Sequence, residues 1–221
     1  MFSSLKFPIR TFIGVCAIFL SIIAAAALVY RGALQGNVWH VVSFSIYGVS
    51  LITLWTISTL YHSLNVSEAT NRTLEQLDHA MIYFLIAGTY TPICLVVLRG
   101  AWGWSLFGIN WTLAITGIVL KLVFRKPARW LVALFFSFYL IMGWLVVIAW
   151  VPLTHALPND GVCWLVAGGI FYTIGAGIFN LRKESDVPIF GAHEVWHLFV
   201  LAGSFCHFWM MYHFVAYLNL G

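Results

Sequence analysis

Apolar residues recur along this chain in seven long runs, each close to the roughly 20 residues a helix needs to cross a hydrocarbon core. They are Thr11 to Tyr30, Val41 to Tyr61, Ala80 to Leu98, Trp102 to Leu120, Trp130 to Val151, Gly161 to Leu181 and His193 to Leu218, and the short segments between them hold nearly all the charge. An unpaired peptide group is too costly in lipid for anything but a helix or a closed barrel, and the runs lack a barrel's strict alternation. The pattern therefore predicts an all-α, seven-transmembrane-helix bundle. Residues 1–221 are expected to form one domain, with no internal repeat or low-complexity segment.

Composition supports lipid as the solvent. Hydrophobic residues make up 62% of the chain and charged residues 8%, with a mean hydropathy of +0.94, which a soluble globule with a polar surface does not show. The net charge of +4 comes from cations scattered singly, so no basic tract for nucleic acid is present. Cys16, Cys94, Cys163 and Cys206 all fall inside apolar runs without CxxC spacing, which excludes a cysteine zinc ribbon and gives no support to a disulfide framework. Lys6 and Arg10 precede a run containing Ala24 to Ala27, the outline of a signal peptide, but the run continues to Tyr30 and is expected to be a retained first helix. Trp39, Trp102, Trp104, Trp130 and Trp150 lie near predicted helix ends, as interfacial anchors do.

Lys6, Arg10, Arg72, Lys121, Arg125, Lys126, Arg129, Arg182 and Lys183 belong to the N-terminus and the even-numbered connections, against Arg31 and Arg99 on the other side. The positive-inside rule then puts the N-terminus in the cytoplasm and the C-terminus outside. In that orientation the sequons at Asn65 and Asn71 face the cytoplasm and stay unglycosylated.

The most informative string is His193-Glu194-Val195-Trp196-His197, where i, i+4 spacing sets two imidazoles on one helix face, one turn apart, as a shared metal requires. It fits HExxH, in which Glu194 would be a general base. The residues after His197 contain no Asp or Glu and no histidine at metzincin spacing, so a third ligand has to come from upstream. Topology supplies His62, at the cytoplasmic end of the second helix, and Asp78, which is expected to open the third helix at the same level. Three neutral imidazoles leave a fourth tetrahedral position for water, the arrangement of a catalytic zinc site. Asp78 would take a proton from that water, and Ser58, four residues before His62, would orient a ligand or donate to a developing oxyanion.

These residues carry a family resemblance that spans essentially the whole chain. Ser58-Thr59-Leu60-Tyr61-His62, Leu77-Asp78-His79 leading into Leu85 to Pro92, Met142-Gly143-Trp144, and His193 to His197 followed by Ala202-Gly203-Ser204 and His207 resemble the hemolysin III branch of the progestin and adipoQ receptor family, which includes the adiponectin receptors. The resemblance implies zinc held by His62, His193 and His197, with Asp78 near the metal water and Ser58 in the same motif. It also implies that Glu194 is a rim charge rather than a zincin base, and that His207 is not a zinc ligand. The adiponectin receptors resemble lipid amidases acting on ceramide, and the branch's own name records a cytolytic association.

Other classes fit less well. A retinal protein needs a lysine in its last helix, and none follows Lys183; ion-coupled transporters keep carboxylates at mid-membrane; a pore needs polar stripes along several helices. His40, His155 and His213 read as hydrogen-bonded packing residues, Thr89 to Pro92 as a kink satisfied locally, and Met142-Gly143-Trp144 as close helix packing. His79 stays open. Two readings remain. One is a zinc-dependent hydrolase of a lipid amide or ester that enters laterally from a membrane, expected to be a bacterial inner membrane. The other is a non-enzymatic sensor or homeostasis protein in which zinc ties the second and seventh helices together. A cytolytic activity stands beside both.

Overall fold

The computed structural model describes residues 5–124, 128–181 and 191–218. Arg125, Lys126, Arg182 and Lys183, used above for orientation, lie outside the described residues. The elements are α1 (Pro8–Leu34), α2 (Val38–Ser63), α3 (Glu68–Pro92) running into a π-turn (Ile93–Val97), α4 (Ala101–Val123), α5 (Arg129–Trp144), a 3-10 turn (Leu145–Ala149), α6 (Trp150–Ala156), α7 (Asn159–Leu181), α8 (Ala192–His213) and a terminal 3-10 turn (Val215–Tyr217). With α5 and α6 forming one crossing, seven helices among the described residues are long and apolar enough to span a membrane. The protein is a multi-pass helical membrane protein. Side chains such as Phe12, Phe19, Ile23, Ile148 and Val151 point outward, where lipid replaces water as their partner.

Helix starts follow local chemistry. Pro8 opens α1 at a position where its missing N–H costs nothing. The Asn37 side chain accepts from the Trp39 N–H at 3.0 Å, and Ser67 accepts from the Thr70 N–H at 3.3 Å.

The third helix differs from expectation in a way that matters. It begins at Glu68 rather than near Ala80, so Asp78 does not open it but lies well inside it. Hydropathy excludes the first turns because they carry Glu68, Arg72 and Glu75, yet the Ser67 cap and the Glu68–Arg72 ion pair one turn apart extend the helix past the apolar run.

The expected kink at Pro92 takes the form of the π-turn that follows it. Its last carbonyls are met by α4, where the Gly103 N–H donates to the Leu98 oxygen at 2.9 Å. Met142-Gly143-Trp144 is not the close-packing seam it resembles, because a Cβ added at Gly143 would meet nothing within 4 Å. Instead α5 tightens there into the 3-10 turn, and its carbonyls take side-chain donors: Asn110 Nδ2 to Met142 at 3.3 Å and the Tyr90 hydroxyl to Gly143 at 2.9 Å. A close approach is needed instead at Gly175 of α7, where a Cβ would come within 2.5 Å of the Phe199 Cβ on α8. That contact draws α8 against α7 just beyond its HxxxH turn.

Candidate metal centre

Alternating chain direction brings the start of α1, the end of α2 and the starts of α3 and α8 to one end of the bundle. There the Phe7 N–H donates to the His62 carbonyl at 3.0 Å, fixing the entry of α1 against the last turn of α2.

His62, His193 and His197 converge at this end, and their candidate ligand nitrogens all lie within 4.8 Å of one another. Ring centroids are 4.7 Å apart for His62–His193, 4.8 Å for His193–His197 and 5.1 Å for His62–His197. His62 is 1% exposed and His197 4%. Among the described residues neither ring nitrogen of His62 has a hydrogen-bond partner, nor does Nδ1 of His197. Buried polar atoms in a folded protein are ordinarily paired, so three imidazoles packed together, two of them with buried nitrogens unmet, fit a shared cation. Neutral imidazole is the commonest protein ligand for zinc and related divalent metals. Aromatic rings surround the cluster: Trp55 stands edge-on to His197 at 5.6 Å, Phe179 to His193 at 5.1 Å and Phe7 to His62 at 5.8 Å.

A cavity of about 140 Å³ lies beside this cluster and extends into the bundle; of the three histidines His197 lines it, with Trp55, Ser58 and Asp78. Ser58 is buried and shares the cavity wall with Asp78. Deeper in, the wall is almost wholly apolar. Trp144, Val147 and Trp150 belong both to the wall and to the exposed flank of the bundle, so the cavity reaches the lipid-facing surface.

Glu194 lies at this end of the bundle, in the first turn of α8, but as a buried and paired charge. It is 7% exposed, and both carboxylate oxygens are committed: Oε1 accepts from Arg10 Nε at 2.6 Å and Oε2 from the Gly191 N–H at 2.8 Å. It stands outside the histidine group. His79 also stands apart, with Nδ1 2.7 Å from the Glu75 carbonyl. His207 is buried in the cavity wall with Nε2 3.2 Å from the Leu165 carbonyl, and His40 packs with Nε2 3.2 Å from the Val215 carbonyl. The sequence reading missed Trp55, which touches both the cavity and His197. Its place one turn before Ser58 on the same helix was the available signal.

Seven apolar helices and a buried three-histidine cluster at the head of an apolar cavity define a class: multi-pass membrane proteins with a candidate metal site between the second and last spans. Residues 3–208 match the family described as Haemolysin-III related, and the chain belongs to that family. It is 43% identical over 196 residues to Hemolysin-3 of Bacillus cereus, covering 89% of this chain and 85% of that one. It is 44% identical over 187 residues to the Hemolysin-3 homolog of Bacillus subtilis (strain 168), covering 85% and 84%. The human monocyte to macrophage differentiation factor is 28% identical over 197 residues, 87% of this chain and 78% of that protein. The family resemblance drawn from the motifs is thereby borne out.

Proposed function

We propose that this protein is a zinc-dependent hydrolase of a lipid amide or ester, working near the cytoplasmic face of a bacterial inner membrane. The observation that carries the reading is the convergence of His62, His193 and His197, with buried nitrogens of His62 and His197 unmet among the described residues, beside an apolar cavity that His197, Asp78 and Ser58 line. The three histidines would hold the metal through neutral imidazole. Bound there, zinc would supply Lewis-acid polarisation of a carbonyl and a lowered pKa for water.

The chain's own residues supply the rest. Asp78 is the one carboxylate in the cavity wall among the described residues, and as a general base it takes the proton released when water adds to the carbonyl. Ser58 lines the same wall, where its hydroxyl would orient that carboxyl. The apolar wall receives an acyl chain and keeps bulk water from it, and the open flank at Trp144 and Trp150 suits entry from the bilayer. Lys6, Arg10, Arg72 and Lys121 stand at the histidine end and Arg31 and Arg99 at the other, which supports a cytoplasmic placement.

The deciding experiment is metal content of detergent-purified protein, parent against His62→Ala, His193→Ala and His197→Ala under mild chelation, followed by a lipid amide and ester screen with Asp78→Asn as control. Near-stoichiometric zinc lost from all three variants supports the site; zinc absent from the parent removes it. Structural zinc without turnover is the second reading, favoured by the near-complete burial of His62. It predicts that Asp78→Asn leaves function intact.

A further inference from the structure

The glutamate inside the HxxxH turn is committed to bonds that leave it no part in proton transfer, and those bonds reach a helix that contributes nothing to the histidine cluster. Glu194 closes the first turn of α8 through the Gly191 N–H at 2.8 Å and receives Arg10 Nε of α1 at 2.6 Å. The Arg10 and Glu194 side chains are only 11% and 9% exposed, so the pair is shielded from the screening that weakens surface ion pairs. Arg10 also lies over the Phe7 ring at 4.3 Å, and Phe7 in turn bonds the His62 carbonyl through its N–H and packs edge-on to the His62 ring. A continuous path of direct contacts thus runs from Glu194, adjacent to His193, through Arg10 and Phe7 to His62. It joins the two helices that carry the three histidines through the first turn of a third.

We infer that Arg10 and Glu194 are positioning residues for the metal centre: their buried ion pair sets α8 against α2 so that His193 and His197 meet His62. The inference rests on the reading of the three histidines as metal ligands. Nearby Lys6 anchors the same segment differently, to Asn71 Oδ1 at 2.6 Å, over the Tyr61 ring at 4.4 Å and over the Phe7 ring at 5.3 Å, and not through the Glu194 ion pair. Its removal tests whether any loosening of the segment is enough.

The test is zinc affinity of the full-length protein in detergent, measured by competition with a chelator on samples shown to be helical. Arg10→Met and Glu194→Met should each weaken zinc by about ten-fold, the low end of what a lost supporting contact costs a metal site. The double variant should be no weaker than the poorer single one, since both remove the same interaction. Arg10→Lys and Lys6→Met should bind like the parent, and Glu194→Gln, which keeps an acceptor for Gly191, should fall between. The inference is overturned if Arg10→Met binds zinc like the parent, if Lys6→Met loses as much as Arg10→Met, or if the two single losses multiply. Zinc lost in the histidine variants but untouched in Arg10→Met sinks this inference alone; a parent that holds no zinc sinks the metal reading with it.

Discussion

His62, in the last turn of α2, and His193, in the first turn of α8, hold their rings edge to face with centroids 4.7 Å apart, although nearly the whole bundle separates them in sequence. With His197 they come together at a point where, among the described residues, no protein group pairs with the ring nitrogens of His62.

Metal removal should therefore destabilise the protein. With free zinc at about 100 times its dissociation constant, binding adds about 2.7 kcal/mol to the folded state. Thermal melts in detergent should fall on chelation in the parent and recover when zinc is restored. In His62→Ala the melt should not respond to chelator.

Asp78→Asn should lower hydrolysis by about 10² to 10⁴-fold, the range expected when a general base is lost. Zinc content should be largely retained, because Asp78 is not in the histidine group. Parallel elemental analysis and turnover of a lipid amide or ester would show it. Parent-like turnover would instead favour structural zinc.

Gly103→Ala should destabilise the bundle by about 1–3 kcal/mol. Its Cβ would run into the carbonyl oxygens of Cys94 and Leu98, the latter at 2.7 Å, and backbone atoms in a π-turn have little room to move. A lowered melting temperature with unchanged zinc content is the expected result.

Tyr90→Phe should cost about 1–3 kcal/mol. The Tyr90 hydroxyl donates to the Gly143 carbonyl at 2.9 Å and accepts from the Val146 N–H at 2.8 Å, bridging α3 to the point where α5 tightens. Losing it leaves the Gly143 carbonyl and the buried Val146 N–H, both of the cavity wall, without that partner. Denaturation in mixed detergent and urea measures the loss.

The seven crossings were legible because lipid imposes one rule on every residue of a span: an apolar side chain on a backbone that bonds to itself. The histidine cluster was legible for a related reason. His193 and His197 share a face by helical spacing, and alternating chain direction returns α2 to the end where α8 begins. Where hydropathy was the only guide, the reading slipped. The charged first turns of α3 hid ten residues of helix before Asp78, from Glu68 to Leu77, and the pairing of Glu194 was hidden because its partner lies at the other end of the chain.

The sequence by itself determined the solvent, the number of crossings and the two histidines that share a turn, since these follow from composition and local periodicity. Only the tertiary structure decided that α1 closes over the site through Arg10 and Phe7, that Ser58 and Asp78 meet in one cavity wall, and that Met142-Gly143-Trp144 offers carbonyls rather than a packing seam. Those relations depend on how far each helix is rotated about its own axis. That rotation is set by side chains meeting across helices, and no one helix's periodicity contains it.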